Sequence, residues 1–126
     1  MIDVNNKLVK ESTKIAVSLS GGADSAILFY HACDVLSDKT FYPFSGYDTR
    51  RPDSIFYAME VYRFIKDSYP NVNIMPHHTF KYTSPKGGAP MQTSKKWDWK
   101  KDPKSVLQHE AEMKYWNIHK YDFTLV

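Results

Sequence analysis

The residues best suited to chemistry form one short segment near the amino end, Ser20-Gly21-Gly22-Ala23-Asp24-Ser25. Two successive glycines allow backbone angles closed to other residues and let the chain approach a ligand without a Cβ clash. A helix that begins near Asp24 directs its unpaired N–H groups and the positive end of its dipole to the same point. Ser20 and Ser25 can add hydroxyl donors. The segment therefore predicts a cradle for a phosphate group.

Asp24 has two possible roles beside such a cradle. Its carboxylate can cap the helix by accepting backbone N–H groups. Alternatively, it can bind a Mg²⁺ ion that also bridges phosphate oxygens. The residues alone leave both roles open.

A cradle of this kind needs a strand before it and a helix after it, and the sequence predicts both. Residues 14–19 form a short apolar run rich in β-formers. Residues 24–36 are long enough for a helix and are apolar nearly all round, which predicts a helix covered on every side.

The remaining chain continues this alternation. We predict a second strand over residues 40–47, at an edge or irregular position because Pro43 lacks a ladder donor. A third strand is predicted over 72–76, a last helix from Asp102-Pro103 to about Lys120, and a fourth strand over 122–126. The sequence stops inside that strand, so we expect either a piece of a longer protein or a minimal domain.

The helix between the second and third predicted strands has the clearest amphipathic pattern. Asp53 or Ser54 is the predicted cap. Its predicted buried stripe follows helical spacing and comprises Ile55, Ala58, Met59, Tyr62 and Ile65.

Composition limits the classes of protein that fit. The 126 residues have room for one core and therefore one domain over 1–126. The single cysteine, Cys33, excludes an internal disulfide and any cysteine-pair zinc or redox site within these residues. With no apolar run long enough to span a bilayer and no signal sequence, we expect a cytoplasmic location.

Charge is concentrated in one segment. The net charge of +3 is too small to indicate nucleic-acid binding, but residues 81–104 carry +5 and the remainder −2. Apolar residues in 81–102 do not recur with helical or strand spacing, so these residues are predicted to form a long loop. Its Lys95–Lys101 stretch, with Trp97 and Trp99, suits a solvated loop, a substrate lid or a contact with RNA.

Two pairs of adjacent polar residues are further candidates for the site. Arg50 and Arg51 follow the second strand and can contact phosphate or substrate, although a solvated turn explains them equally well. His77 and His78 are adjacent, so on a strand they point to opposite faces and rarely share one metal ion.

The segment Ser20–Ser25 resembles the PP-loop of the N-type ATP pyrophosphatases, whose pattern is S-G-G-x-D-S after the first strand. The chain looks most similar to domains of the 7-cyano-7-deazaguanine synthase and asparagine synthetase type. The resemblance implies a Rossmann-like, adenine nucleotide alpha hydrolase-like fold. We therefore predict a three-layer α/β domain with a mainly parallel sheet in the order 3-2-1-4.

The resemblance also implies an activity. Ser20, Gly21, Gly22, Asp24 and Ser25 would bind ATP, with Asp24 and Ser25 acting in catalysis and Asp24 contacting Mg²⁺. A carboxylate or ring carbonyl of a small substrate would be adenylated with release of pyrophosphate, leading to an amide or nitrile. A domain similar to the sulfonucleotide reductases, which take phosphoadenylyl sulfate, and a non-catalytic nucleotide-binding fragment are the alternatives.

Overall fold

A computed structural model describes residues 2–83 and 103–125. The predicted alternation of strands and helices is confirmed. In chain order the elements are α1 (Lys7–Glu11), β1 (Lys14–Ser18), α2 (Ala23–Val35), β2 (Thr40–Asp48), α3 (Asp53–Ser68), β3 (Asn73–Ile74), β4 (His78–Tyr82), α4 (Pro103–His119) and β5 (Phe123–Leu125).

The strands form one parallel sheet. Its order is β3-β2-β1-β5, and β4 also pairs with β2. The fourth predicted strand corresponds to β5, so the four predicted strands lie in the predicted order. The sequence missed β4, and the predicted loop over 81–102 is wrong at its start, because β4 continues to Tyr82. Residues 84–102 lie outside the described part of the chain.

One edge of the sheet is a strand broken into two pieces. β3 pairs with Thr40–Phe41 and β4 pairs with Phe44–Asp48, both on the same side of β2. Phe41 accepts a hydrogen bond from Met75 on that side, and the backbone of Pro43, two residues later, faces the same way. Proline has no N–H to donate there. The gap between β3 and β4 therefore lies where β2 lacks a donor.

Of the two positions predicted for the second strand at Pro43, the edge position is wrong and the irregular position is confirmed. β2 lies inside the sheet, with β1 on one side and the β3–β4 edge on the other. Pro43 is buried there, opposite Val17 of β1. The missing donor is accommodated by a break in the neighbouring strand rather than by an edge position.

Helices cover both faces of this sheet. Ile15, Val17 and Phe41 pack on one side with residues of α2 and α3 such as Phe29 and Ile65. On the other side, Ala16, Tyr42 and Phe44 pack with Tyr115 of α4. Alternate residues of a strand face opposite sides of the sheet, which explains this division. The predicted three layers are confirmed.

The sequence predicted that α2 is covered on every side, but the side of α2 that faces away from the sheet is exposed. Phe29, Ala32 and Cys33 are buried against the sheet, whereas Ile27 is 57 % exposed and Tyr30 is 44 % exposed. Among the described residues, no further helix or strand covers the outer side of α2. A helix with apolar residues on all its faces is therefore not buried on all its faces. Burial raises the pKa of the Cys33 thiol to about 12.

Helix α3 differs from its prediction at two points. It begins at Asp53 with Pro52 in the capping position and no capping hydrogen bond from a side chain, so neither Asp53 nor Ser54 is the cap. Ile55, Ala58 and Ile65 are buried, and the half-buried Tyr62 packs against the core cluster that contains Ala58 and Ile65. Met59, at the margin of the stripe, is 37 % exposed, so its predicted burial is wrong.

The carboxyl-terminal elements close the sheet. α4 begins at Pro103 as predicted, while its predicted cap, Asp102, is not described. Asp122 accepts hydrogen bonds from the N–H groups of Thr13 (2.8 Å) and Lys14 (3.0 Å), which joins the start of β5 to the start of β1. In the described ranges, no helix is both long and apolar enough to cross a membrane.

Candidate phosphate-binding site

The loop between β1 and α2 is fixed at its start by the neighbouring strand. The N–H of Leu19 donates to the carbonyl oxygen of Phe44 at 2.9 Å. Gly21 then takes φ +87°, in the left-handed region that favours glycine. The chain enters α2 through Gly22. Gly21 therefore adopts a backbone angle closed to other residues, as the sequence predicted, whereas Gly22, at φ −89°, does not.

The hydroxyl groups of the loop bind each other. Ser20 Oγ and Ser25 Oγ lie 3.1 Å apart, and Ser25 Oγ donates to the carbonyl oxygen of Gly22 at 3.2 Å. Because the Ser25 hydroxyl donates its one proton to the carbonyl oxygen of Gly22, the Ser20 hydroxyl is the donor in its hydrogen bond with Ser25. The N–H of Gly22 donates to Ser20 Oγ and that of Ser20 donates to Ser25 Oγ, each at 3.2 Å. The predicted ligand hydroxyls thus lie together, but they close the loop internally.

The first turn of α2 leaves backbone donors without acceptors. The first helical hydrogen bond is from Ala26 to Gly22, at 3.3 Å. The N–H groups of Ala23, Asp24 and Ser25 have no acceptor within the described residues. Unpaired N–H groups and the helix dipole both favour an anion at this end of a helix.

Asp24 lies in the first turn of α2, exposed to solvent. The helix begins at Ala23 with Gly22 as its cap and with no capping hydrogen bond from a side chain. The capping role considered for Asp24 is therefore wrong, because the residue is already inside the helix. Its carboxylate remains available as a cation ligand.

A hollow of about 270 Å³ adjoins the loop at the carboxyl ends of β1 and β2. It lies on the α4 side of the sheet, and its lining includes Ser18, Ser20, Gly46, Ser54, Phe80 and Glu112. The connections after β1 and before β5 run on opposite faces, so the loop stands at the switch point where parallel α/β sheets place ligands.

Phe80 forms one wall of this hollow. Its ring lies so close over Gly46 that a Cβ atom there would overlap it. The ring also stacks on Phe44, with centroids 6.4 Å apart. Sequence reasoning missed Gly46 and Phe80. A glycine at the carboxyl end of a predicted strand was the available signal for the first, and nothing local indicated the second.

The turn after β2 carries the two arginines considered as contacts. Asp48 is buried and its Oδ1 accepts the N–H of Arg50 at 3.0 Å, while its carbonyl accepts the N–H of Arg51 at 2.9 Å. Thr49 donates to the carbonyl of Tyr82, a residue that also lines the hollow. This turn is thus held at the edge of the hollow, with both arginine residues exposed.

His77 and His78 lie on opposite faces of the sheet, as the sequence predicted. His77 stacks on Tyr62 of α3, with centroids 5.1 Å apart, and His78 stacks on Tyr115 of α4 at 4.4 Å. Burial lowers the pKa of both, that of His77 to about 4. In residues 2–83 and 103–125, no three His, Cys, Asp or Glu side chains gather as a metal site.

A groove larger than this hollow lies elsewhere among the described residues. It measures about 630 Å³ and runs between α2 and α3 on the other side of the sheet from the hollow, with apolar walls that include Ile27, Tyr30 and Phe64. It lacks the cluster of donors found at the loop. The Lys95–Lys101 stretch, considered as a lid or RNA contact, falls outside the described residues.

Comparisons with known proteins add no family to this description. No family model, curated protein or solved structure gives a significant match to the chain.

Proposed function

We propose that this chain binds the phosphate groups of ATP at the Ser20–Ser25 loop and acts as a PP-loop ATP pyrophosphatase. One observation carries the proposal. The S-G-G-x-D-S segment, the left-handed Gly21 and the unpaired N–H groups at the start of α2 coincide at the carboxyl end of β1. The proposal includes the finer fold assignment, that of an adenine nucleotide alpha hydrolase-like domain.

The donors at the loop suit phosphate oxygens. Three backbone N–H groups of α2 point out of the helix end, and hydrogen bonds to charged oxygens are about twice as strong as neutral ones. In the proposed complex, the Ser20 hydroxyl turns from Ser25 to phosphate, and the Ser25 hydroxyl turns from the carbonyl oxygen of Gly22 to phosphate. This exchange costs little free energy because both side chains lie at the surface of the loop.

Asp24 fits a magnesium contact. Mg²⁺ is usually held by one or two carboxylates together with substrate phosphates, rather than by a cage of protein ligands. Asp24 is exposed and next to the proposed phosphate position, so one carboxylate is present where one is needed. The ion, when bound, would neutralise charge on the phosphate chain.

The proposed reaction needs no nucleophilic side chain. A carboxylate or ring-carbonyl oxygen of a small substrate bonds to the α-phosphorus, the bond from that phosphorus to the bridging oxygen breaks, and pyrophosphate leaves. Ammonia or an amine then bonds to the activated carbon, AMP leaves, and an amide forms. A nitrile product requires a second adenylation by ATP, at the amide oxygen, followed by loss of AMP and protons. The N–H groups at α2 would stabilise charge on the leaving pyrophosphate, where one good donor is worth about 3 kcal/mol.

Calorimetry with Mg-ATP tests the proposal. We expect Asp24→Ala and Ser25→Ala to weaken binding tenfold or more, which is about 1.4 kcal/mol. Asp34→Ala is the matched control, because Asp34 is an exposed carboxylate at the other end of the same helix. Equal affinities for all four proteins, at unchanged thermal stability, would contradict the proposed site.

Two further measurements separate the alternatives. Tighter binding of phosphoadenylyl sulfate than of ATP would favour a sulfonucleotide reductase-like domain. Binding of Mg-ATP without pyrophosphate release across a panel of carboxylate and ring-carbonyl substrates would favour a nucleotide-binding fragment.

A further inference from the structure

A buried polar relay lies beneath the loop. Ser45 of β2 is 2 % exposed. Its Oγ donates to the carbonyl oxygen of Leu19 at 2.6 Å and lies 2.7 Å from Nε2 of His77. These contacts join residues separated by 26 and 32 positions in the chain.

The proton positions in the relay follow from this geometry. A hydroxyl has one proton, and that of Ser45 is directed to Leu19. His77 must therefore donate through Nε2–H to Ser45. The other ring nitrogen, Nδ1, is then unprotonated, and it is buried with no hydrogen-bond partner in the described part of the chain. Burial, aided by His78, lowers the pKa of His77 to about 4, so the ring is neutral near neutral pH.

The break in the edge strand brings the imidazole to this position. His77 lies between β3 and β4, opposite the part of β2 where Pro43 has no N–H. Tyr62 of α3 stacks on the ring with an interplanar angle of 30° and donates its hydroxyl to the carbonyl of Met75 at 3.2 Å. The His77 ring is therefore held by its hydrogen bond to Ser45 and by stacking of its face on Tyr62.

The relay ends at Leu19, the residue immediately before the Ser20–Ser25 loop. Leu19 has its N–H bound to Phe44 and its carbonyl bound to Ser45, so both of its backbone polar groups are fixed. Ser20 follows directly. The direction in which the chain leaves β1 is thus set by two contacts to β2, and one of them, that of Ser45, is supported by His77.

A serine and a histidine at this distance also resemble a nucleophile and its general base. That interpretation fails here for two reasons. Ser45 is buried, so no substrate carbonyl can reach its Oγ. In addition, its proton is directed to a backbone carbonyl and not to the histidine.

We propose that His77 is a positioning residue for the phosphate-binding loop and acts through Ser45 on the carbonyl of Leu19. This inference depends on the proposed function, because it assigns His77 a role in phosphate binding. Without His77, the Ser45 hydroxyl is free to turn, and the exit of β1 loses one of its two fixed groups. Loss of that restraint lowers the affinity for the phosphate chain.

The test compares three single variants, one double variant and one control variant in Mg-ATP calorimetry, each at a temperature where circular dichroism shows it folded. His77→Leu removes the donor, Ser45→Ala removes the link, and His77→Gln places an amide N–H near the position of Nε2. We expect His77→Leu and Ser45→Ala each to weaken Mg-ATP binding about tenfold. The double variant that combines them should bind Mg-ATP as tightly as either single variant, because both act through one contact. His77→Gln should retain most of the affinity. His31→Leu, on the surface of α2, is the control.

Hydrogen exchange of the Ser20–Gly22 amides gives a second readout that needs no ligand. We expect faster exchange in His77→Leu and Ser45→Ala, and unchanged exchange in His77→Gln and His31→Leu. Wild-type affinity in folded His77→Leu, or failure of His77→Gln to restore affinity, overturns the inference. If the wild-type chain does not bind Mg-ATP, the proposed function fails, and unchanged loop exchange in both Ser45→Ala and His77→Leu would overturn the positioning claim separately.

Discussion

A Cβ atom added to Gly21 would lie 2.5 Å from the carbonyl oxygen of Ser54. The loop after β1 therefore packs directly on the first turn of α3. The close approach and the positive φ of Gly21 have the same consequence, since each excludes a side chain at this position. The shape of the loop is fixed by a helix that begins more than thirty residues later in the chain.

We predict different outcomes for alanine at the two loop glycines. Gly21→Ala must adopt a left-handed conformation, which costs about 1–2 kcal/mol, and must also displace the backbone of α3. Gly22 has φ −89°, and its added Cβ would meet only Ser20 Oγ at 3.4 Å, an ordinary contact. In chemical denaturation, we expect Gly21→Ala to lose about 2 kcal/mol and Gly22→Ala less than about 0.5 kcal/mol. Equal losses would contradict the described loop.

We predict that Gly46 and Phe80 are coupled. Gly46→Ala places a methyl group within the space of the Phe80 ring and should lower the free energy of unfolding by about 1–3 kcal/mol. Because the obstacle is a side chain and not the backbone, Phe80→Leu should relieve most of that additional cost. A double-mutant cycle measures the coupling. Strictly additive effects would show that the ring does not lie over Gly46.

The phosphate-binding segment could be predicted from sequence because its determinants are local. Two glycines, a preceding apolar run and a following helix are contiguous, so the turn at Gly21 and the start of α2 followed directly from residues 14–36. Helix boundaries were less accurate. Asp24 and Asp53 were considered as caps although each lies one or two residues inside its helix, a shift that depends on local hydrogen bonds the pattern does not encode.

The walls of the hollow and the relay beneath the loop could not be predicted in this way. Phe80 lies on β4, which was missed because its short alternation of half-buried and exposed residues gives no strong apolar signal. The contact between Ser45 and His77 depends on a break in the edge strand opposite Pro43. Such relationships arise from register between strands, which a single sequence does not show.

We predict that Asp122 stabilises the fold and makes it sensitive to acid. Its hydrogen bonds from Lys14 and Thr13 lower its pKa in the folded state below the ordinary value of about 3.9. Its contribution is therefore complete above about pH 4 and is lost as the pH falls through the folded value. At pH 7, Asp122→Ala should lower the free energy of unfolding by about 1 kcal/mol.

The control for Asp122 is Asp38→Ala, because the Asp38 side chain is 79 % exposed and pairs with Lys39 at 3.6 Å. We expect that variant to change stability by less than about 0.5 kcal/mol. Denaturation curves from pH 7 to pH 3 should show the difference between wild type and Asp122→Ala shrinking at the acidic end. A difference that grows as the pH falls would contradict the assigned role of Asp122.

The most direct test of the central claim is a titration of the ¹⁵N-labelled chain with Mg-ATP, followed by amide chemical shifts. We predict that the largest changes fall on the amides of Ser20 to Ser25. Asp24→Ala should need at least tenfold more Mg-ATP to reach half of these changes, whereas Asp34→Ala should need no more than the wild type. No change at millimolar Mg-ATP, or changes confined to the groove around Ile27 and Phe64, would contradict phosphate binding at this loop.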